Sequence, residues 1–378
     1  MAELNPAVTK PFTRTLRGSF LIFAGFAVAW CDFAGNCSVG FCGEPIALLQ
    51  LQIGEQRLEG RVAAHNDQKC WLLSRDGRMA VVPTDDVSDF RELEPRFRPY
   101  SALDLRDRLQ SEFGRGYEVK TSSHYVVAAP SGAVTRYASL MEAVYRQFHT
   151  YFTTRGFRIS EPEFPLIAVV LPDEESFIKY CVAEGAAPKP GLRGFYMPGS
   201  NRVALFEVAG QSRADDVDDT VIHEATHQVA FNTGVHSRIG PSPLWLVEGL
   251  ATLFEADGIR KRETGREIGD RINMSRLEWF QEFRRNRRLS KSLESFVRDD
   301  GAFKSAPLDA YSQAWALAFY LSESRPVEFA KYLKTVATRD PLKPYDGDSR
   351  VKDFRECVSR DLEFLETGML RFFDRLAE

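Results

Sequence analysis

Residues 220–230 read TVIHEATHQVA. Two histidines stand four apart, with a glutamate directly after the first. The segment from Asp215 to Asn232 has the marks of a helix. Asp215, Asp216, Asp218 and Asp219 crowd its start, where the helix dipole favours negative charge, and Thr233-Gly234 suits its end. In a helix, positions i and i+4 share a face, so the imidazoles of His223 and His227 stand one turn apart. A zinc ion needs that separation to take both nitrogens at ~2.0–2.1 Å. Glu224 is rotated away from them. It suits a general base acting on a water better than a third ligand. Taken alone, the same residues also fit two histidines that share a helix face by accident.

The next segment, PSPLWLVEGLATLFEADG (241–258), reads as a second helix with Pro243 near its first turn. Leu244, Val247, Ala251 and Phe254 form an apolar face, joined by Leu250 and Leu253. Glu248 lies amid these side chains. A buried carboxylate without a partner is costly, and a cation removes that cost. Two histidines from one helix and a carboxylate from the next leave a fourth tetrahedral position open. An open position distinguishes a catalytic zinc from a structural one. A structural zinc would need a fourth protein ligand, for which His236 in the intervening loop is the nearest candidate in sequence.

Outward from this pair of helices, the chain divides into blocks. Residues 46–53, 57–64, 69–74 and 78–83 are strand-like and separated by the turn signals Gly54-Glu55, Asn66-Asp67 and Asp76-Gly77. So many short strands in residues 46–96 predict a small SH3-like β-barrel. From 97 to 378 the pattern is that of an α+β domain, β-rich to about residue 210 and helical from about 215. YEVKTSSHYVVAAP (117–130) reads as a strand pair. Residues 138–156 read as an amphipathic helix with Leu140, Val144, Phe148 and Phe152 on one face. PLIAVVLP (165–172) reads as a buried strand. NRVALFEV (201–208) directly precedes the motif helix and is the best candidate for an edge strand that pairs with an extended peptide.

H-E-x-x-H followed by W-L-x-E-G-[FL]-A resembles the gluzincin zinc metallopeptidases. Here those residues are His223-Glu224-Ala225-Thr226-His227 and Trp245-Leu246-Val247-Glu248-Gly249-Leu250-Ala251. Within that group the chain is most similar to the peptidase-MA-like bacterial branch. The resemblance implies a zincin-like domain over 97–378, with His223, His227 and Glu248 holding one Zn2+ per chain and Glu224 as catalytic base. It also implies a downstream tyrosine that donates to the oxyanion; Tyr311 fits, with Tyr320 on the same stretch as a weaker substitute. Two departures matter. The G-x-M-E-N motif by which the aminopeptidase subgroup captures a free amine is absent, so the expected mode is endopeptidase. Thermolysin-like members carry an aspartate four residues after the ligand glutamate to orient the first histidine; here that position is Thr252, leaving the orienting partner unidentified.

The chain's 378 residues carry 49 basic and 53 acidic side chains, a net charge of −4. That balance gives no bulk attraction to nucleic acid, and none is expected as a partner. The basic runs 260–266 and 283–288 read as solvated helix faces. Residues 1–29 read as an export signal: Lys10, Arg14 and Arg17 precede the apolar run FLIFAGFAVA (20–29), which ends in the small-x-small site Ala27-Val28-Ala29. An uncleaved membrane tether is the alternative. Residues 30–45 read as a linker, with Cys37 and Cys42 close enough to bridge in an exported protein. The expectation is therefore an exported zinc metallopeptidase acting on peptide or protein substrates. The rival is a catalytically silent zincin-fold binding or scaffold protein of the cell envelope.

Overall fold

The computed structural model describes residues 46–186, 192–207, 214–260 and 267–376. The expected export signal, the expected linker, and Cys37 and Cys42 lie outside these residues. Strands β1 (Leu48–Ile53), β2 (Gln56–His65), β3 (Lys69–Leu73), β4 (Met79–Pro83) and β5 (Val87–Glu94) form an antiparallel sheet in the order β4-β3-β2-β1-β5. Side chains alternate between faces, as the pleat requires. Leu51, Cys70 and Leu72 gather with Leu58, Val62, Val87 and Phe90 in one small core, while Leu48 and Leu73 gather with Phe97 and Phe164 in another.

The expected SH3-like barrel is not found among the described residues. Its two end strands, β4 and β5, do not pair, and the sheet stays open. The sheet packs instead against the rest of the chain, which gives its residues partners that a separate barrel would have to supply itself. Phe97 meets Phe164 edge-on at 6.2 Å, and Arg61 pairs with Glu163 at 2.6 Å. Arg78 reaches Glu184 at 2.7 Å, and the Met79 N–H donates to Gly199 O at 2.7 Å.

After α1 (Ala102–Phe113) come β6 (Tyr117–Thr121), β7 (Tyr125–Pro130), α2 (Val134–Thr154), β8 (Leu166–Leu171), α3 (Glu174–Ala183), β9 (Gly194–Met197) and β10 (Arg202–Phe206). They build a mixed sheet in the order β6-β7-β8-β10-β9, in which β7, β8 and β10 run parallel. All six residues of β8 are buried, as befits a strand covered on both faces. Val126 and Ala128 pack with Leu105, Leu109 and Phe177 of α1 and α3. Tyr125, Val127 and Ala129 pack on the opposite face, where α2 contributes Val144, Phe148 and Phe152. The strand NRVALFEV is not an edge strand. β10 lies between β8 and β9 and is hydrogen-bonded on both sides. The Pro198-Gly199 turn folds β9 back outside it, so the edge beside the motif helix is β9.

The remaining described elements are helical: α4 (Ala214–Asn232), α5 (Leu244–Phe254), α6 (Asp257–Arg260), α7 (Met274–Asn286), α8 (Leu293–Arg298), α9 (Gly301–Ser305), α10 (Pro307–Ser324), α11 (Pro326–Ala337), α12 (Gly347–Cys357) and α13 (Leu362–Arg375). The architecture is thus α+β, with two sheets and a helical second half. Arginines of the basic run 283–288 are tied into this half: Arg284 pairs with Asp374, Arg287 with Asp309 and Arg288 with Glu366. No helix among the described residues is long and apolar enough to cross a membrane.

Helices α5 and α10 approach closely enough to decide one residue. A Cβ at Gly249 would stand 2.6 Å from the carbonyl oxygen of Ala314 and 3.1 Å from the side chain of Ala318. Glycine is therefore required directly after Glu248 for α5 to seat against α10. Gly249→Ala should destabilise the protein by roughly 1–3 kcal/mol through overpacking, seen as a lower urea midpoint. An unchanged midpoint would mean that the two helices can separate freely.

Candidate metal centre

Helix α4 buries Val221, Ile222, Ala225, Val229 and Ala230 in the main core, which fixes its rotation. It ends where Gly234 adopts a φ of +80°, and the Val235 and His236 N–H groups return to Ala230 O. The chain then enters α5, whose N-cap, Pro243, offers no side-chain cap. Asp300 supplies one from a distant segment, accepting from Leu244 N–H at 3.0 Å. These constraints bring α5 across α4 with Glu248 facing the two histidines.

Three atoms converge there. His223 Nε2 and His227 Nε2 are 3.1 Å apart. Glu248 Oε2 lies 3.3 Å from the first and 3.5 Å from the second. Donor atoms bound at ~2.0–2.1 Å to one tetrahedral ion stand about 3.3–3.4 Å from one another. The observed triangle has that size. Glu248 Oε2 is buried and has no hydrogen-bond partner among the described residues, so the carboxylate is aimed at the space the histidines enclose. Among the described residues, no fourth histidine, cysteine or carboxylate joins the group. His236 is buried, and neither ring nitrogen has a partner there. Burial, reinforced by neighbouring His227, pushes its pKa down to about 3.

His223 is oriented from behind. Its Nδ1 lies 2.8 Å from Glu255 Oε1, one residue past the end of α5. Asn273 Nδ2 donates to the other oxygen of Glu255 at 2.6 Å, and Arg276 stands 3.5 Å away. Asn273 also caps α7 through its side-chain oxygen, so one residue both starts that helix and holds the carboxylate. Thr252 plays no such part, since its hydroxyl donates to Glu248 O in its own helix at 2.7 Å. Sequence reasoning missed Glu255. The available signal was its place two helical turns beyond Glu248, on the same face of an otherwise apolar run.

The charges agree with this geometry. Burial by itself would raise the Glu248 carboxyl, but His227 and His223 hold it well below the usual carboxylate range. Glu255 is lowered against burial by its bond to His223. Burial would lower His223, yet Glu248 and Glu255 together raise it well above an ordinary imidazole. The cluster thus draws positive charge to its centre.

Glu224 lies beside the cluster, outside the ligand triangle. Its Oε2 accepts from the Tyr196 N–H of edge strand β9 at 2.7 Å. A Cβ at Gly194 would come 3.0 Å from Glu224 Cγ and 2.6 Å from Leu205, so glycine there makes room for the carboxylate. Tyr311 sits in the first turns of α10, its ring edge-on to Phe303 at 5.5 Å and 5.6 Å from the Arg276 guanidinium. Its phenol is pushed up, first by burial and then by the charges of Glu248 and Glu224. Tyr320 faces elsewhere, packed on Phe372 of α13 at 5.4 Å. Arg238 also points away from the triangle, toward the carbonyls of Gly77 and Pro198.

A family described as a protein of unknown function (DUF1570) matches residues 218–343, the stretch that contains most of α4, all of α5 and Tyr311. No curated protein sequence matches the chain. Among solved structures, native leukotriene A4 hydrolase from Saccharomyces cerevisiae is similar at 15% identity and a TM-score of 0.39, over 67% of this chain and 38% of that one. This chain therefore spans well under half the length of that enzyme.

If Glu255 orients His223 for a cation, Glu255→Ala should weaken zinc affinity about 10–100-fold in competition with a chelator. Equal affinity in the variant and the parent would remove Glu255 from the site.

Proposed function

We propose that the protein is an exported zinc-dependent peptidase of the gluzincin type, hydrolysing peptide bonds in peptide or protein substrates. The observation that carries this reading is the triangle of His223 Nε2, His227 Nε2 and Glu248 Oε2, with sides of 3.1, 3.3 and 3.5 Å and a fourth corner to which no histidine, cysteine or carboxylate among the described residues contributes. A site closed by four protein ligands would serve structure; three leave a position for chemistry.

In this reading His223, His227 and Glu248 hold one Zn2+. When bound, zinc supplies Lewis acidity that polarises a carbonyl and brings the pKa of water down to about 7. Glu224 is the general base. The Tyr196 N–H fixes one of its oxygens, and the other takes the proton from the attacking water. Glu224 then hands that proton to the amine as the C–N bond breaks, so the added water appears as one new carboxyl and one new amine. Tyr311 donates its O–H to the carbonyl oxygen as negative charge develops there. Its raised pKa keeps the phenol protonated for that role at neutral pH. The apolar leader at 20–29 supports export.

Metal content tests the first part. Elemental analysis should find about one zinc per chain in the wild type and little in His223→Ala. A wild type that binds no zinc even after reconstitution would sink the reading and leave the scaffold alternative. The second part is tested by Glu224→Gln, which should keep its zinc and lose about 10²–10⁴-fold in kcat on peptide substrates. Retained turnover would take the base role away from Glu224. Tyr311→Phe should cost about 10²–10³-fold in kcat with zinc intact.

A further inference from the structure

Arg238 lies in the loop between α4 and α5, and its guanidinium makes an uncommon set of bonds. Its Nη2 donates to Gly77 O at 2.7 Å and to Pro198 O at 2.7 Å, and its Nε donates to Pro198 O at 3.2 Å. The acceptors are backbone carbonyls from two turns. Gly77 belongs to the β3–β4 hairpin of the first sheet. Pro198 belongs to the β9–β10 hairpin of the second. Beside this clamp, the Met79 N–H donates to Gly199 O at 2.7 Å, so the β9–β10 turn is tied to the first sheet directly at Gly199 and through Arg238 at Pro198.

The same turn is held from the other side by the motif helix. Asn201 takes a left-handed φ of +60°. Its carbonyl accepts from Gln228 Nε2 at 2.8 Å, its amide exchanges bonds with Asn232 at 2.9 and 2.7 Å, and its Oδ1 also accepts from the Tyr196 hydroxyl at 2.9 Å. Gln228 and Asn232 both lie on α4, the helix that carries His223, Glu224 and His227. The turn is therefore fastened between α4 and the first sheet. Two residues before Pro198, the Tyr196 N–H holds Glu224.

β9 is four residues long and, among the described residues, is paired on one side only, with β10. A short, one-sided strand belongs to the less stable parts of a fold. Its amide can fix a carboxylate only if something else fixes the strand. We propose that the first sheet is a positioning element of the candidate site. Through Arg238 and the Met79 amide, it sets the place of the β9–β10 turn, hence of the Tyr196 N–H and the Glu224 carboxylate. Arg238 is a positioning residue, and it acts through β9 without touching the reacting groups. This assignment rests on the reading of Glu224 as general base. It gives the first sheet a task other than partner binding.

The tight fit at Gly77 allows a second approach from far outside the site. Gly77 has a φ of +85°, and a Cβ there would stand 3.2 Å from both Asn201 Nδ2 and the Phe164 ring. Gly77→Ala therefore disturbs the hairpin against the turn without removing any group near the metal ligands.

The test compares wild type, Arg238→Met, Arg238→Lys and Gly77→Ala in the full-length protein. Three quantities are measured: zinc per chain, kcat and KM on a peptide substrate, and amide hydrogen exchange over residues 194–199. All four proteins should hold about one zinc. Arg238→Met and Gly77→Ala should exchange faster over 194–199 and lose about 10–100-fold in kcat, because a misplacement of ~1 Å is felt on that scale. KM should change little, since Glu224 acts only in the transition state. Arg238→Lys, which keeps a donor, should recover part of the loss. Unchanged exchange in both Arg238→Met and Gly77→Ala would overturn the proposal, as would faster exchange with undiminished kcat. A wild type that binds zinc but hydrolyses no peptide would sink the peptidase reading instead, while exchange over 194–199 would still accept or reject the coupling.

Discussion

Three electron-rich atoms within 3.5 Å of one another in a mostly buried space repel, and an apolar core does not assemble around such a point without compensation. The surrounding fold reads as the answer to that problem. Helix α4 is locked in rotation by five core side chains, so its two imidazoles cannot turn away. Helix α5 is held at its start by Asp300 and along its length by α10, so Glu248 cannot retreat. Packing spread over many residues holds the three groups in place, in a geometry that a cation can use.

Two glycines show how narrow the arrangement is. Gly249 lets α5 meet α10 backbone to backbone at Ala314, which brings Glu248 on one helix into range of Tyr311 on the other. Gly194 opens the edge strand so that Glu224 fits beneath it. Each sits next to a carboxylate of the candidate site, in sequence in one case and in space in the other. Their identity is set by the volume that the carboxylate and its supporting element need, more than by any turn they make.

Part of this was legible in the sequence. The spacing of His223 and His227 needs only helical periodicity, and Glu248 stands out as a charge inside an apolar run. The α+β character follows from strands preceding helices. The misses share a cause: each depended on which strand or helix lies beside which. Strand content in residues 46–96 was readable, yet closure depends on whether β4 meets β5, and they do not. Adjacency in sequence made 201–208 look like the edge, whereas the Pro198-Gly199 hairpin places β9 outside it. Glu255 was hidden just past the end of a helix, because its partners Asn273 and Arg276 come from the start of α7, after a separate loop. Short-range pattern identifies elements and anomalous residues, while tertiary pairing assigns their neighbours.

Glu224, Glu248 and Glu255 bring three formal negative charges to the site, and Arg276 brings one positive charge. With neutral imidazoles an excess of two negatives remains. A proton on His223, which the raised pKa of that ring favours, removes one of them. A divalent cation removes both, and it does so at the point where the three ligand atoms already converge. It also releases His223 from the need to carry a proton, so Nε2 can offer its lone pair while Nδ1 donates to Glu255. Charge, tautomer and distance thus favour the same occupant, a doubly charged ion that accepts nitrogen and oxygen in a tetrahedron. Together they argue for a metal more strongly than the spacing of the histidines alone.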